Sequence, residues 1–210
     1  EDFNGSSAMF SLTQNDYTKA MYPFDFKFTV RYTLKADGIT VTYRVRNDSD
    51  AEMPFCIGAH PAFATPGDMN GYRLQFLRPE TAAVPNYNLE TGLHEEHNRR
   101  ELMKDSTDLQ LSHEMFYEDV CYFDKVASRQ VELLNSENIG VRVDYPDFTS
   151  LGVWQAKDAP FLCIEPWCGS ADFDDCSGVF AEKRGIEILA PGAEKTFTYA
   201  ITAVEHKAKV

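Results

Sequence analysis

Two residues in this chain combine a reactive side chain with a position that projects it. His60 lies in the run Ile57-Gly58-Ala59-His60-Pro61-Ala62-Phe63 and closes an apolar stretch. Pro61 ends strand pairing and biases His60 toward an extended backbone. A histidine at a strand end can reach into a cleft, and imidazole is the side chain best suited to proton transfer near neutral pH. The alternative is a structural histidine bonded to a backbone carbonyl. Glu165 repeats the pattern in Phe161-Leu162-Cys163-Ile164-Glu165-Pro166-Trp167. A carboxylate directly after four apolar residues is costly to bury unless it is paired or needed. Burial lifts a glutamic acid from about 4.3 toward neutrality, where it can act as a base. Trp167 adds a flat apolar face on which a ring-shaped ligand could stack. The alternative for Glu165 is a rim carboxylate paired with a lysine or arginine.

These side chains need strands to hold them, and the sequence is dominated by period two. Phe24, Phe26, Phe28, Val30, Tyr32 and Leu34 alternate with polar residues, as do Ile39, Val41, Tyr43 and Val45 beyond Asp37-Gly38. Successive strand side chains point to opposite faces, so these runs predict an antiparallel hairpin. Further strands are expected at Met53 to Ala59, Tyr72 to Leu77, Val131 to Leu134, Val141 to Asp144 and Leu151 to Gln155. Phe161 to Ile164, Ile186 to Leu189 and Phe197 to Val204 complete the set. Only Leu109 to Phe116 suggests a helical turn. The polar stretch Asn86 to Asp108, with His94, Glu95, Glu96, His97, Arg99 and Arg100, predicts a long solvated loop. Many short strands with almost no helices describe an all-β sandwich or barrel. No composition shift divides residues 1–210, which predicts a single domain.

The chain has 33 acidic and 20 basic residues and a net charge of −13. Such a surface repels phosphate backbones and anionic lipid, so neither nucleic acid nor a membrane is an expected partner. A neutral small molecule meets no such barrier. Nothing in the sequence specifies an oligomeric state. Five cysteines, an odd count in a long chain, predict free thiols in a reducing, cytoplasmic compartment. Cys163, Cys168 and Cys176 lack the close pairing of a structural zinc site, and no histidine is near them in sequence. No metal is expected, and no thiol is marked as a nucleophile.

The segments MPFCIGAHPAF, LGVW, FLCIEPWCGSAD and EKRGIEILAPGAEKTFTYAI, together with the YPFDFKFTVRYTL hairpin, resemble the LacX-like branch of the aldose 1-epimerase (galactose mutarotase) family. The resemblance runs from about residue 20 to the end in the family's order. It implies a large antiparallel β-sandwich that interconverts the α and β anomers of a free hexose, with no cofactor and no metal. The residue at His60 would protonate the ring oxygen, and the residue at Glu165 would take the proton of the anomeric hydroxyl. MFYEDVCYFDK resembles the stretch whose aspartate holds substrate hydroxyls, which points to Asp119, or to Glu118 if the alignment slips by one. A turn or cap role is the alternative for Asp119. Trp167 and Phe63 are expected to line the pocket; Trp154 is expected in the core or the pocket wall.

The family pattern also includes N-terminal strands, a His-Gly-Phe type motif and an upstream arginine, and the chain is expected to be partial at its N-terminus. Two other functions stay open at this level. One is a carbohydrate-binding sandwich without catalysis. The other is a phosphosugar epimerase relative, for which Arg73, Arg78, Arg99 and Arg100 are candidate phosphate ligands.

Overall fold

The computed structural model describes residues 2, 3 and 5–207. In chain order its strands begin with β1 (Asp2–Phe3), β2 (Ser7–Thr13), β3 (Phe26–Leu34), β4 (Gly38–Asn47) and β5 (Met53–Phe55). Next come β6 (Ile57–Gly58), β7 (Ala62–Ala64), β8 (Tyr72–Asn88), β9 (Leu93–Gln110), β10 (Cys121–Phe123) and β11 (Gln130–Asn135). The last are β12 (Ile139–Asp144), β13 (Ser150–Trp154), β14 (Phe161–Cys168), β15 (Glu187–Leu189) and β16 (Glu194–Glu205). The α-helix, α1 (Asp16–Met21), was not expected. Its signal was the capping box in which Asn15 and Thr18 satisfy each other's backbone N–H groups.

The strands form a nine-stranded sheet in the order β1-β2-β3-β4-β16-β12-β11-β8-β9, and a smaller sheet β10-β13-β14-β6 with β7 also on β14. β5 pairs separately with β15. All of these pairings are antiparallel, as the alternating pattern predicted. The expected hairpin is β3–β4, with Phe26 opposite Asn47 and Leu34 opposite Ile39. The expected strand Met53 to Ala59 is instead broken at Cys56, so β5 and β6 join different sheets.

The two main sheets face each other across one apolar core. Val41, Tyr43, Leu74, Phe76, Val131, Val143, Phe197 and Tyr199 come from the large sheet. Cys121, Phe123, Leu151, Val153, Leu162 and Ile164 come from the small one. Each fully buried side chain of this kind contributes about 1.5–3 kcal/mol relative to exposure. Period two then sends the intervening residues of the small sheet, Tyr122, Gly152, Trp154, Cys163, Glu165 and Trp167, to its other face.

The long solvated loop expected at Asn86 to Asp108 is not there. β8 and β9 form one extended hairpin, with register shifts at Gln75/Glu80, Glu80/Ala82, Ala82/Ala83 and Pro85/Asn86. Bulges bend a strand and increase its twist. The far end of the hairpin thereby reaches the outer face of the small sheet, where His94 stacks on Tyr122 and Tyr87 packs against His94. The polar pattern misled because several of its charged side chains are paired: Arg99 binds both Asp124 and Glu96, and Arg184 binds Glu96.

Candidate active site

His60 and Glu165 meet. His60 Nε2 lies 3.3 Å from Glu165 Oε1, although 105 positions separate the two residues. β14 carries Glu165 opposite Gly152 of β13, while the 59–61 link between β6 and β7 lays His60 across the same face. The imidazole is 61% exposed and rests edge-on to Trp154, with ring centres 5.9 Å apart. Glu165 is only 2% exposed. The contrast with the buried Glu80 is informative. Glu80 accepts hydrogen bonds from the backbone N–H groups of Ala127 and Ser128 and from the Ser128 hydroxyl. Among the described residues, Glu165 has one polar contact, to His60. Burial, and then the negative charge of Asp119, push its pKa up to about 7.

Both residues line a cavity of about 310 Å³ with Tyr87, His94, Asp119, Val120, Trp154, Trp167 and Ala171. Asp119 therefore faces the site, and it is also a turn residue. Its φ is +76°, and its Oδ1 accepts the Val120 N–H at 2.7 Å. Left-handed backbone in a non-glycine residue costs on the order of 1 kcal/mol or more and is frequent at functional sites. Glu118, the alternative, is exposed outside the cavity lining.

Trp167 lies flat on the small sheet because two glycines leave room. A Cβ at Gly152 would meet its six-membered ring at 2.9 Å, and one at Gly58 would meet Cδ1 at 2.5 Å. Trp154, for which a core role was an open alternative, lines the cavity. Phe63 does not. It pairs with Leu162, a core-facing position of β14, and packs into the main core. The alternation in β7 turns Ala62 toward Cys163 and Phe63 away from it.

His94, expected on a solvated loop, lies instead in strand β9. It is fully buried, stacked on Tyr122 at 4.8 Å and enclosed by Tyr87 and Phe173. Neither ring nitrogen has a protein partner. Burial lowers its pKa to about 4, so the ring is neutral at physiological pH. The 172–174 segment clamps it in place: His94 N–H donates to Asp172 O, and Asp174 N–H donates to His94 O.

None of the four arginines considered for phosphate lines the cavity. Arg73 pairs with Asp108, Arg99 with Asp124 and Glu96, and Arg100 points at the Cys121 sulfur. Arg78 is exposed outside the cavity lining.

An antiparallel β-fold of two facing sheets, with His60 and Glu165 together on the outer face of the smaller one, is of the galactose mutarotase-like type. A galactose mutarotase related enzyme from Lactobacillus acidophilus has the same fold, with a TM-score of 0.87 and 29% identity over 99% of this chain and 72% of that chain. A galactose mutarotase-like protein from Lactobacillus casei gives a TM-score of 0.84 at 23% identity, over 97% of this chain and 72% of that one. The chromosomally encoded LacX protein of Lactococcus lactis subsp. lactis is 31% identical over 209 residues, spanning 96% of this chain and 70% of LacX. The family model described as aldose 1-epimerase matches residues 2–202. The chain belongs to the aldose 1-epimerase family.

Proposed function

We propose that this protein interconverts the α and β anomers of a free hexose by general acid–base opening and reclosure of the pyranose ring. The observation that carries this reading is the 3.3 Å approach of His60 to a buried, otherwise unpartnered Glu165. The ring oxygen and the anomeric hydroxyl share one carbon, so an acid and a base that serve both must be close neighbours. In the forward step, His60 as imidazolium gives its proton to the ring oxygen and Glu165 as carboxylate removes the proton of the anomeric hydroxyl. The bond from the anomeric carbon to the ring oxygen breaks, leaving an aldehyde and a free hydroxyl. Rotation presents the other carbonyl face. Closure then returns the ring-hydroxyl proton to His60 and the Glu165 proton to the new anomeric oxygen, which restores both groups. Each positioned group contributes about 10²–10⁴-fold. Asp119 is suited to accept substrate hydroxyls, and Trp167 to stack on the apolar face of the ring.

The test is polarimetry on freshly dissolved α-glucose and α-galactose. Rotation should relax faster with the protein than without, and Glu165→Gln should remove the acceleration. For the parent, kcat/KM should rise with pH through about 7, where the base ionises. Binding of sugar without any acceleration would instead make the protein a carbohydrate-binding module.

A further inference from the structure

One side chain beside the acid–base pair takes no part in proton transfer. Cys163 lies two residues before Glu165 on β14, so both point to the outer face of the small sheet. It pairs with Ala62, which brings the preceding His60 over it. A ring nitrogen of His60, the thiol of Cys163 and a carboxylate oxygen of Glu165 all lie within 4.8 Å of one another. Cys163 is 1% exposed, free and not in a disulfide.

We propose that His60, Cys163 and Glu165 form a three-ligand Zn²⁺ site, and that the ion inhibits by competing with the sugar. Imidazole, thiolate and carboxylate are the three ligand types zinc uses most. A tetrahedral ion with bonds of about 2.0–2.3 Å needs ligands roughly 3.3–3.8 Å apart. The His60–Glu165 separation of 3.3 Å already falls there. The sulfur lies within 4.8 Å of both other ligand atoms, so closing the set on one ion takes an approach of at most about 1.5 Å. Binding displaces the thiol proton to solvent, and a water would take the fourth position beside the cavity that His60 and Glu165 line. An ion held this way occupies the lone pairs that would move protons, so metal and sugar exclude each other. Cys163, Cys168 and Cys176 lack zinc spacing along the chain, whereas this set is assembled by strand pairing.

Metal binding can be tested independently of the mutarotase reading; only the inhibition arm rests on it. Co²⁺ titrated into the full chain at about pH 7.5 should bind one equivalent with a thiolate-to-cobalt charge-transfer band. Zn²⁺ should abolish that band by displacement. Cys163→Ser should lose the band, and Cys163→Ala is the second variant should the serine disturb folding. The double variant Cys56→Ser/Cys176→Ser, which removes the exposed thiols, should keep it. In polarimetry, Zn²⁺ should raise KM without lowering kcat, and EDTA should reverse the effect. Cys163→Ser should weaken the inhibition about tenfold or more. No band at one equivalent, a band that follows Cys56 and Cys176, or equal inhibition of the parent and Cys163→Ser would overturn the proposal. If no mutarotation is accelerated, the cobalt spectrum still decides the site.

Discussion

At the scale of single residues, the site places two titrations of opposite sign side by side. Glu165 is raised from 4.5 to about 7, chiefly by burial. Below about pH 4.5 its carboxyl is protonated whether the chain is folded or not. As pH rises through about 7, the folded chain must hold a buried charge, so stability falls. His94 is lowered from 6.5 to about 4, also by burial. Above 6.5 it is neutral in both states. As pH falls from 6.5 through about 4, the unfolded chain takes up a proton that the folded chain resists, so stability is lost from the acid side. Each displacement corresponds to on the order of 3 kcal/mol, and the two nearly cancel between about pH 4.5 and 6.5. Single variants should unmask them. In urea unfolding, Glu165→Gln should exceed the parent by about 2 kcal/mol at pH 8 and lose that margin by pH 4.5. His94→Phe keeps an aromatic ring among Tyr87, Tyr122 and Phe173, and its margin over the parent should widen between pH 7 and pH 5. Margins that stay constant with pH would show that neither group titrates differently on folding. His60 and Glu165 were legible in the sequence because each breaks an apolar run just before a proline. His94 was not, since its polar neighbours mark a wet surface and its burial comes from a segment some 80 positions away. Phe63 failed by parity, because one step along a strand changes the face.

At the scale of elements, the small sheet works because its two faces carry different residues in strict alternation. The β3–β4 hairpin could be read from that alternation and the start of β14 from its apolar run, although β14 continues through Pro166 to Cys168; the extent of β8 and β9 could not be read, because bulges interrupt the alternation. The outer face also depends on a glycine directly opposite the proposed base. Gly152 pairs with Glu165, and its missing side chain makes room for the Trp167 indole. Gly152→Ala would put a methyl group 2.9 Å from the ring, on a strand whose backbone is held on both sides. The indole must therefore tilt into the cavity. Overpacking of this kind costs about 1–3 kcal/mol, and here part of that should appear as lost sugar binding. The expected outcome is a several-fold rise in KM with kcat nearly unchanged, together with a shift in tryptophan emission. An unchanged KM with a shifted emission would mean that the Trp167 face does not contact the substrate.

At the scale of the whole molecule, charge should decide between substrates that differ only by a phosphate. The chain carries −13 overall, and the cavity is lined by Asp119 and Glu165 with no lysine or arginine among its described residues. The nearest cations on the adjoining segment are already committed: Lys183 binds Asp172, and Arg184 binds Glu96 and Asp175. A phosphate entering here would meet carboxylates and would have to break an existing ion pair to gain a cation. Like charges at about 4–6 Å in a partly desolvated site cost on the order of 1–4 kcal/mol. Hexose 6-phosphates should therefore show kcat/KM at least about tenfold below the free hexoses. The gap should narrow as salt is raised from about 0.02 to 0.3 M, because screening shortens the reach of the repulsion. Free hexoses, being neutral, should show no such salt dependence. Equal turnover of the two substrate classes at low salt would mean that a cation does reach the phosphate, and Lys183→Ala would then be the first substitution to identify it.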